Sequence, residues 1–169
     1  MKAVTTEVLG KEDTINLIDK QWMLVTAGTP EKYNTMTASW GALGCLWNKP
    51  VAIIFIRPER YTHDFIEKGG RVSLSFFDEQ YRDALKLCGS RSGRDCDKVA
   101  EAGLTAQVLE NGTMVFDQAR LTLDCRQLFK TEMTEADFLD KSLLDKFYGE
   151  KGGFHTVYVL DIEKVYVAE

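Results

Sequence analysis

The chain has 169 residues, 44% of them hydrophobic, and a formal net charge of −5 at pH 7. That length suits one domain able to bury roughly 70% of its unfolded surface. The acidic balance disfavours nucleic acid and anionic membranes as partners, and no apolar run nears the ~20 residues that cross a bilayer. Met1 to Asn16 lacks the apolar core and cleavage site of a secretory signal, so a cytoplasmic location is expected.

In chain order, Trp22 to Ala27 reads as a strand, and Asn34-Thr35-Met36-Thr37-Ala38-Ser39-Trp40 follows as another. Alternation on this second strand puts Thr35, Thr37 and Ser39 on one face and Met36, Ala38 and Trp40 on the other. The hydroxyl row reads either as a solvated strand face or as a surface that admits a flat, heteroatom-rich ligand such as a flavin ring. Val51 to Ile56 is apolar on both faces, the pattern of a strand covered on both sides. Arg57 ends that run where a guanidinium can hold an anion.

Thr62 is placed to cap a short helix, Thr62 to Lys68, that Gly69-Gly70 ends. Arg71 to Phe77 alternates as a strand. Asp78 then caps a helix whose Tyr81, Ala84, Leu85 and Cys88 share one face, closed by Gly89. Ser92-Gly93-Arg94-Asp95 has capping-box spacing for the next helix, which Gly103 ends. Strands follow around Thr105 to Val108, Thr113 to Phe116 and Arg120 to Phe129, with a tight turn at Asn111-Gly112 and a bulge near Arg126, because Leu128 breaks the period of two. Thr134-x-x-Asp137 opens a helical stretch closed by Gly149, and Phe154 to Val167 is a long last strand. The order is mainly β with peripheral helices, which suits an antiparallel barrel better than a doubly wound sheet.

Several chemistries lack their motif. No Gly-x-Gly-x-x-Gly follows a strand, no P-loop is present, and neither His63 nor His155 belongs to a metal-ligand spacing. Ser39 lacks the context of a hydrolase nucleophile. Cys45, Cys88, Cys96 and Cys125 are spaced 43, 8 and 29 apart and read as small buried hydrophobes, although Cys88 and Cys96 flank a loop where a redox role is conceivable. That loop, Gly89-Ser90-Arg91-Ser92-Gly93, is either an ordinary connector or a phosphate cradle at a helix N-terminus. Lys86, Arg91 and Arg94 succeed one another there without an intervening acid, a local excess that suits a small phosphorylated ligand.

The Met-Thr-Ala-Ser-Trp strand, Arg57-Pro58-Glu59-Arg60-Tyr61-Thr62 and Ser90-Arg91-Ser92-Gly93-Arg94-Asp95 stand in an order and separation that resemble the flavin reductase-like family of FMN-binding split barrels, from about Trp22 to Val167. The resemblance implies an antiparallel Greek-key split barrel that binds FMN. It implies that Met36, Thr37, Ala38, Ser39 and Trp40 line the ring and ribityl chain. Arg57, Tyr61 and Thr62 would then reach ribityl or phosphate, with Ser90, Ser92 and Lys98 as further phosphate candidates. Gly152-Gly153-Phe154-His155 resembles the Gly-Asp-His of many flavin reductases, with Phe154 in place of Asp, and makes His155 the candidate catalytic group beside the ring. The activity implied is hydride transfer from NADH or NADPH to flavin N5 by a homodimer with its site near the subunit boundary, with an electron-acceptor protein as a further partner. Two rival readings are an FMN-holding electron carrier and an oxidase of the pyridoxamine phosphate type.

Overall fold

The computed structural model describes residues 1–149 and 153–169. Eight strands form one antiparallel sheet: β1 (Lys2–Val4), β2 (Met23–Thr29), β3 (Lys32–Ala38), β4 (Gly41–Leu46), β5 (Lys49–Ile56), β6 (Arg71–Phe76), β9 (Leu121–Glu132) and β10 (Thr156–Val167). Their order is β3-β2-β6-β9-β10-β5-β4, with β1 on β10, while β7 (Ala106–Val108) and β8 (Met114–Phe116) make a separate hairpin. The sheet curls around a core but does not close, since β3 and β4 sit at its opposite edges. The fold is therefore a split antiparallel barrel with peripheral helices.

β2 is buried on both faces, and the two faces meet different neighbours. Met23, Val25 and Ala27 join Met36 and Ala38 of β3 in the barrel core. Leu24 instead packs outside the barrel with Leu85 and Cys88 of helix α2 (Arg82–Ser90). Thr26 and Thr35 are register partners on that outer side, and their hydroxyls bond at 2.9 Å. The hydroxyl face of β3 is thus turned under α2: Thr35 also donates to the Val25 carbonyl, and Thr37 donates to the Leu85 carbonyl. Gly89 allows this approach, because a Cβ there would stand 3.3 Å from Thr37 Cβ.

Local signals hold with shifted boundaries. Helix α1 (Tyr61–Ile66) has Arg60 at its N-cap, and Thr62 is a fully buried helical residue rather than the cap. Asp78 precedes a short 3-10 turn, Glu79–Tyr81, before α2 begins at Arg82. Ser92 closes a turn, accepting the Arg94 N–H at 3.2 Å, and helix α3 (Lys98–Glu101) starts later, capped by Asp97. The expected bulge falls at Leu128, where β10 slips between Val159 and Leu160. Thr134 and Asp137 form a capping box on a 3-10 turn, and α4 (Ser142–Phe147) is a separate helix. β10 starts at Thr156, and Gly152 lies outside the described residues. Cys88 and Cys125 are buried as expected, whereas Cys45 is exposed and Cys96 is half-buried.

β5 departs from expectation in a useful way. Ala52, Ile54 and Ile56 enter the core, but Ile53 and Phe55 on its other face are only half covered. The β4–β5 hairpin turns at Trp47 and Asn48, both at positive φ (54° and 57°), the backbone of a two-residue I′ turn.

A charged seam ties the strands at the back of the barrel. Asp124, 0% exposed, accepts Arg71 at 2.7 Å, Asn111 at 2.6 Å and Thr113 at 2.7 Å. Arg71 continues to Glu163, Glu163 to Arg126, and Arg126 to Asp161, which also holds Lys49 of β5. Asp124→Ala leaves this buried cluster without its central acceptor. It is expected to lower the unfolding free energy by roughly 3–5 kcal/mol, read as an earlier urea midpoint at unchanged slope.

Candidate functional site

As an edge strand, β3 has one strand neighbour, β2, so half of its backbone N–H and C=O groups face away from the sheet. Two cavities run along that open edge. One, of about 170 Å³, lies against Met36, Thr37, Ala38, Ser39 and Trp40, with Phe55, Arg57 and His155 opposite. The other, of about 260 Å³, lies against Asn34 and Met36, with Tyr61, Thr62 and the Gly89–Gly93 loop opposite. Met36 and Arg60 line both, so they form one groove.

The second cavity is cationic. Lys98 is 4% exposed, and its ammonium donates to the Cys88 carbonyl at 3.1 Å. Arg60 donates to the Gly89 carbonyl at 3.0 Å. Among the described residues neither cation forms a salt bridge; burial lowers the basicity of both. These carbonyls belong to the C-terminal turn of α2, whose partial negative charge favours cations. The expected phosphate cradle thus has a different basis. The four-residue α3 begins only at Lys98, and the Asp97 carboxylate already accepts the Val99 and Ala100 N–H groups. The positive charge around this cavity is carried by Arg60, Arg91 and Lys98.

The first cavity is aromatic. His155 is 6% exposed, its Nδ1 lies 2.9 Å from the Tyr148 hydroxyl, and its ring centroid is 5.2 Å from that of Trp40. Burial, reinforced by the Arg57 charge, pushes the imidazole pKa down to about 4, so it is neutral at pH 7. Burial also raises the Tyr148 phenol. Trp40 is 43% exposed and meets Phe147 edge-on at 5.3 Å.

Every candidate residue from the sequence lies on this groove, but their side chains do different work. Met36 and Ala38 contribute from the core side of β3, while Ser39 and Trp40 follow at its end. The Thr37 hydroxyl is held by Leu85 and the Thr62 hydroxyl accepts from Asn34 at 2.7 Å, so both serve the fold. Ser90 bonds back to the Lys86 carbonyl at 2.9 Å, and Ser92 to its own turn. Arg57 donates to the Phe147 carbonyl and lies 5.1 Å from the Tyr148 ring centroid, which makes it a brace for the α4 segment. Tyr61 lies under the Arg94 guanidinium at 4.4 Å.

Arg60, Asn34 and Phe55 also line the groove, although the sequence did not single them out as site candidates. Arg60 stands three residues after Arg57, and its position at the N-cap of α1 is the signal that could have found it. Gly93, in the loop read as a possible phosphate cradle, sits against a distant segment: a Cβ there would fall 1.9 Å from Asn34 Oδ1.

An open-edged barrel with a groove cationic at one end and aromatic at the other defines a small-ligand-binding split-barrel protein. The sequence matches the flavin reductase like domain over residues 16–169, and the chain belongs to that family. Its fold is similar to flavoredoxin from Methanosarcina acetivorans (TM-score 0.70, 21% identity, 88% of this chain and 69% of that one). It is also similar to an FMN-binding protein from Thermus thermophilus with bound 1-cyclohex-2-enone (0.65, 23%, 86% and 69%). A third likeness is the FMN-binding domain of a flavin reductases-like enzyme from Shewanella baltica (0.69, 16%, 98% and 76%). No curated protein sequence matches the chain.

The depressed basicity of His155 has a stability consequence. The unfolded imidazole takes up a proton near pH 6.5 while the folded one resists until about pH 4. Its contribution is therefore present above pH 6.5 and is lost as pH falls toward about 4. The stability difference between wild type and His155→Gln should shrink across that window in urea titrations.

Proposed function

We propose that this protein holds FMN along the open edge of β3 and acts as an NAD(P)H-dependent flavin reductase. The observation that carries the reading is the pair of cations at one end of the groove, the buried Lys98 and the half-buried Arg60. Both donate to neutral carbonyls, and for Lys98, which is buried and forms no salt bridge among the described residues, a missing counter-charge is costly. A phosphate dianion would supply that charge, so the residues present fit the flavin mononucleotide tail. Bound flavin would supply the two-electron chemistry, accepting hydride from nicotinamide and passing electrons on.

The chain's own part is to bind, orient and exclude water. Arg60 and Lys98 neutralise the tail, and the free backbone groups of β3 offer donors and acceptors to a heteroatom-rich ring. Trp40 and Phe55 keep water from the ring end. Tyr148 fixes the His155 ring through Nδ1, which leaves Nε2 of a neutral imidazole to hold or release a proton there.

The reading includes a homodimer. Leu46 (37% exposed), Trp47 (57%) and Phe129 (49%) present apolar surface beside half-covered Ile53 and Phe55, and Phe55 also lines the groove. A second copy seated on this face would cover it and stand next to the ring end.

Three measurements test these statements. NADH or NADPH should be oxidised on mixing with the flavin-loaded protein, and negligible turnover would instead favour an electron carrier. Lys98→Met keeps the buried stem and removes the charge, so FMN affinity should fall by roughly 1.5–3 kcal/mol in a fluorescence titration. Trp47→Asp should turn a dimer into a monomer in sedimentation.

A further inference from the structure

The groove continues past the phosphate position. A third cavity, of about 500 Å³, shares Asn34, Gly93 and Lys98 with the cationic one. The three cavities follow β3 in order: Met36 to Trp40, then Asn34 to Met36, then Glu31 to Thr35. The seven residues of β3 span roughly 20–24 Å, a long track for one strand edge. Lys98 stands at the junction, its ammonium bonded to one carbonyl and bordering both sides.

The chemistry changes beyond that junction. Glu31, Asp95 and Asp97 offset Lys32 and Arg94 around the third cavity, so it has no cationic excess for another phosphate. Tyr33 supplies a half-buried aromatic ring whose phenol is raised by burial and by the nearby Asp97 charge. Asp97 uses Oδ1 to cap α3, and among the described residues its Oδ2 has no hydrogen-bond partner. An aromatic face with a free carboxylate oxygen suits a base and the hydroxyls of its sugar.

We infer that this third cavity receives the nucleoside end of a flavin dinucleotide, with Lys98 at the pyrophosphate, so that the chain prefers FAD to FMN. The inference rests on the flavin-binding reading above and extends the ligand that the same groove takes. Tyr33 stacks on the adenine, and Asp97 accepts from the ribose hydroxyls. Flavin fluorescence titrations of the flavin-free protein test it with FMN and FAD side by side. FAD should bind about ten-fold tighter, the scale of one base stacked on an aromatic ring. Tyr33→Ala and Asp97→Asn should each erase most of that advantage while FMN affinity stays as in wild type, which also shows that the variants fold. Equal affinities, tighter FMN, or an FAD advantage that survives both substitutions would overturn this inference and leave the flavin reading standing. Failure of both flavins to bind would overturn the reading on which it rests.

Discussion

The open edge of β3 is the constraint on which the groove depends. Had the sheet closed, β3 would have paired with β4, and the backbone groups along the groove would be consumed in a ladder. The chain instead passes from β3 through Ser39 and Trp40 to a strand at the opposite edge of the sheet. An exposed edge invites unwanted pairing. Here α2 shields the outer face of β3 and holds it through Thr37, while Asn34 ties the strand to Thr62 of α1. The edge is rigid, partly sheltered and still unpaired, the combination that a ligand-binding strand needs.

Placement of charge follows from the same packing. α2 lies across β3, so its C-terminal carbonyls end beside the groove, and these are the groups that fix Arg60 and Lys98. Holding the ammonium of a buried lysine by a neutral oxygen is a poor arrangement for stability alone. It is a good one for binding, because the donors are already oriented and need little reorganisation when an anion arrives. The contrast with Asp124 is instructive. That carboxylate is equally buried, but it is surrounded by Arg71, Asn111 and Thr113, which donate to it directly. One buried charge is balanced within the fold, and the other meets a neutral carbonyl beside a cavity.

Much of this was legible in the sequence. Period-two alternation located β6 and the core of β9, and the Asn111-Gly112 turn joined β7 to β8, because those signals are local. The resemblance gathered residues that the fold does bring to one groove. What could not be read was direction. Thr35 and Thr37 share a face as the spacing requires, yet which face meets α2 and which the core is settled by Leu24 and Leu85 packing against each other. Of the features the sequence offered to a ligand on this strand, the hydroxyls of Thr35 and Thr37 are engaged within the fold, and the backbone edge beside them stays open. Arg60 and Arg57 show the same limit. Three residues apart, one is turned to the anion end by the start of α1, and the other to the carbonyl of Phe147.

The two ends of the groove are built from separate parts of the chain. The cationic end draws on α1, α2 and the loop before α3, all within a compact stretch of sequence. The aromatic end draws on the end of β3, on β5, and on the approach to β10, with α4 braced by Arg57 and its Phe147 against Trp40. Met36 and Arg60 join the ends. Among the described residues, the α4 region borders His155 but not Lys98, and Gly93 borders the cationic cavity but not the aromatic one. The junction is reinforced by Glu59, which lines the cationic cavity and pairs with Arg57 of the aromatic one at 3.7 Å. Thr37 reinforces it too by tying the aromatic wall to α2, so the two ends are joined through a few identifiable contacts.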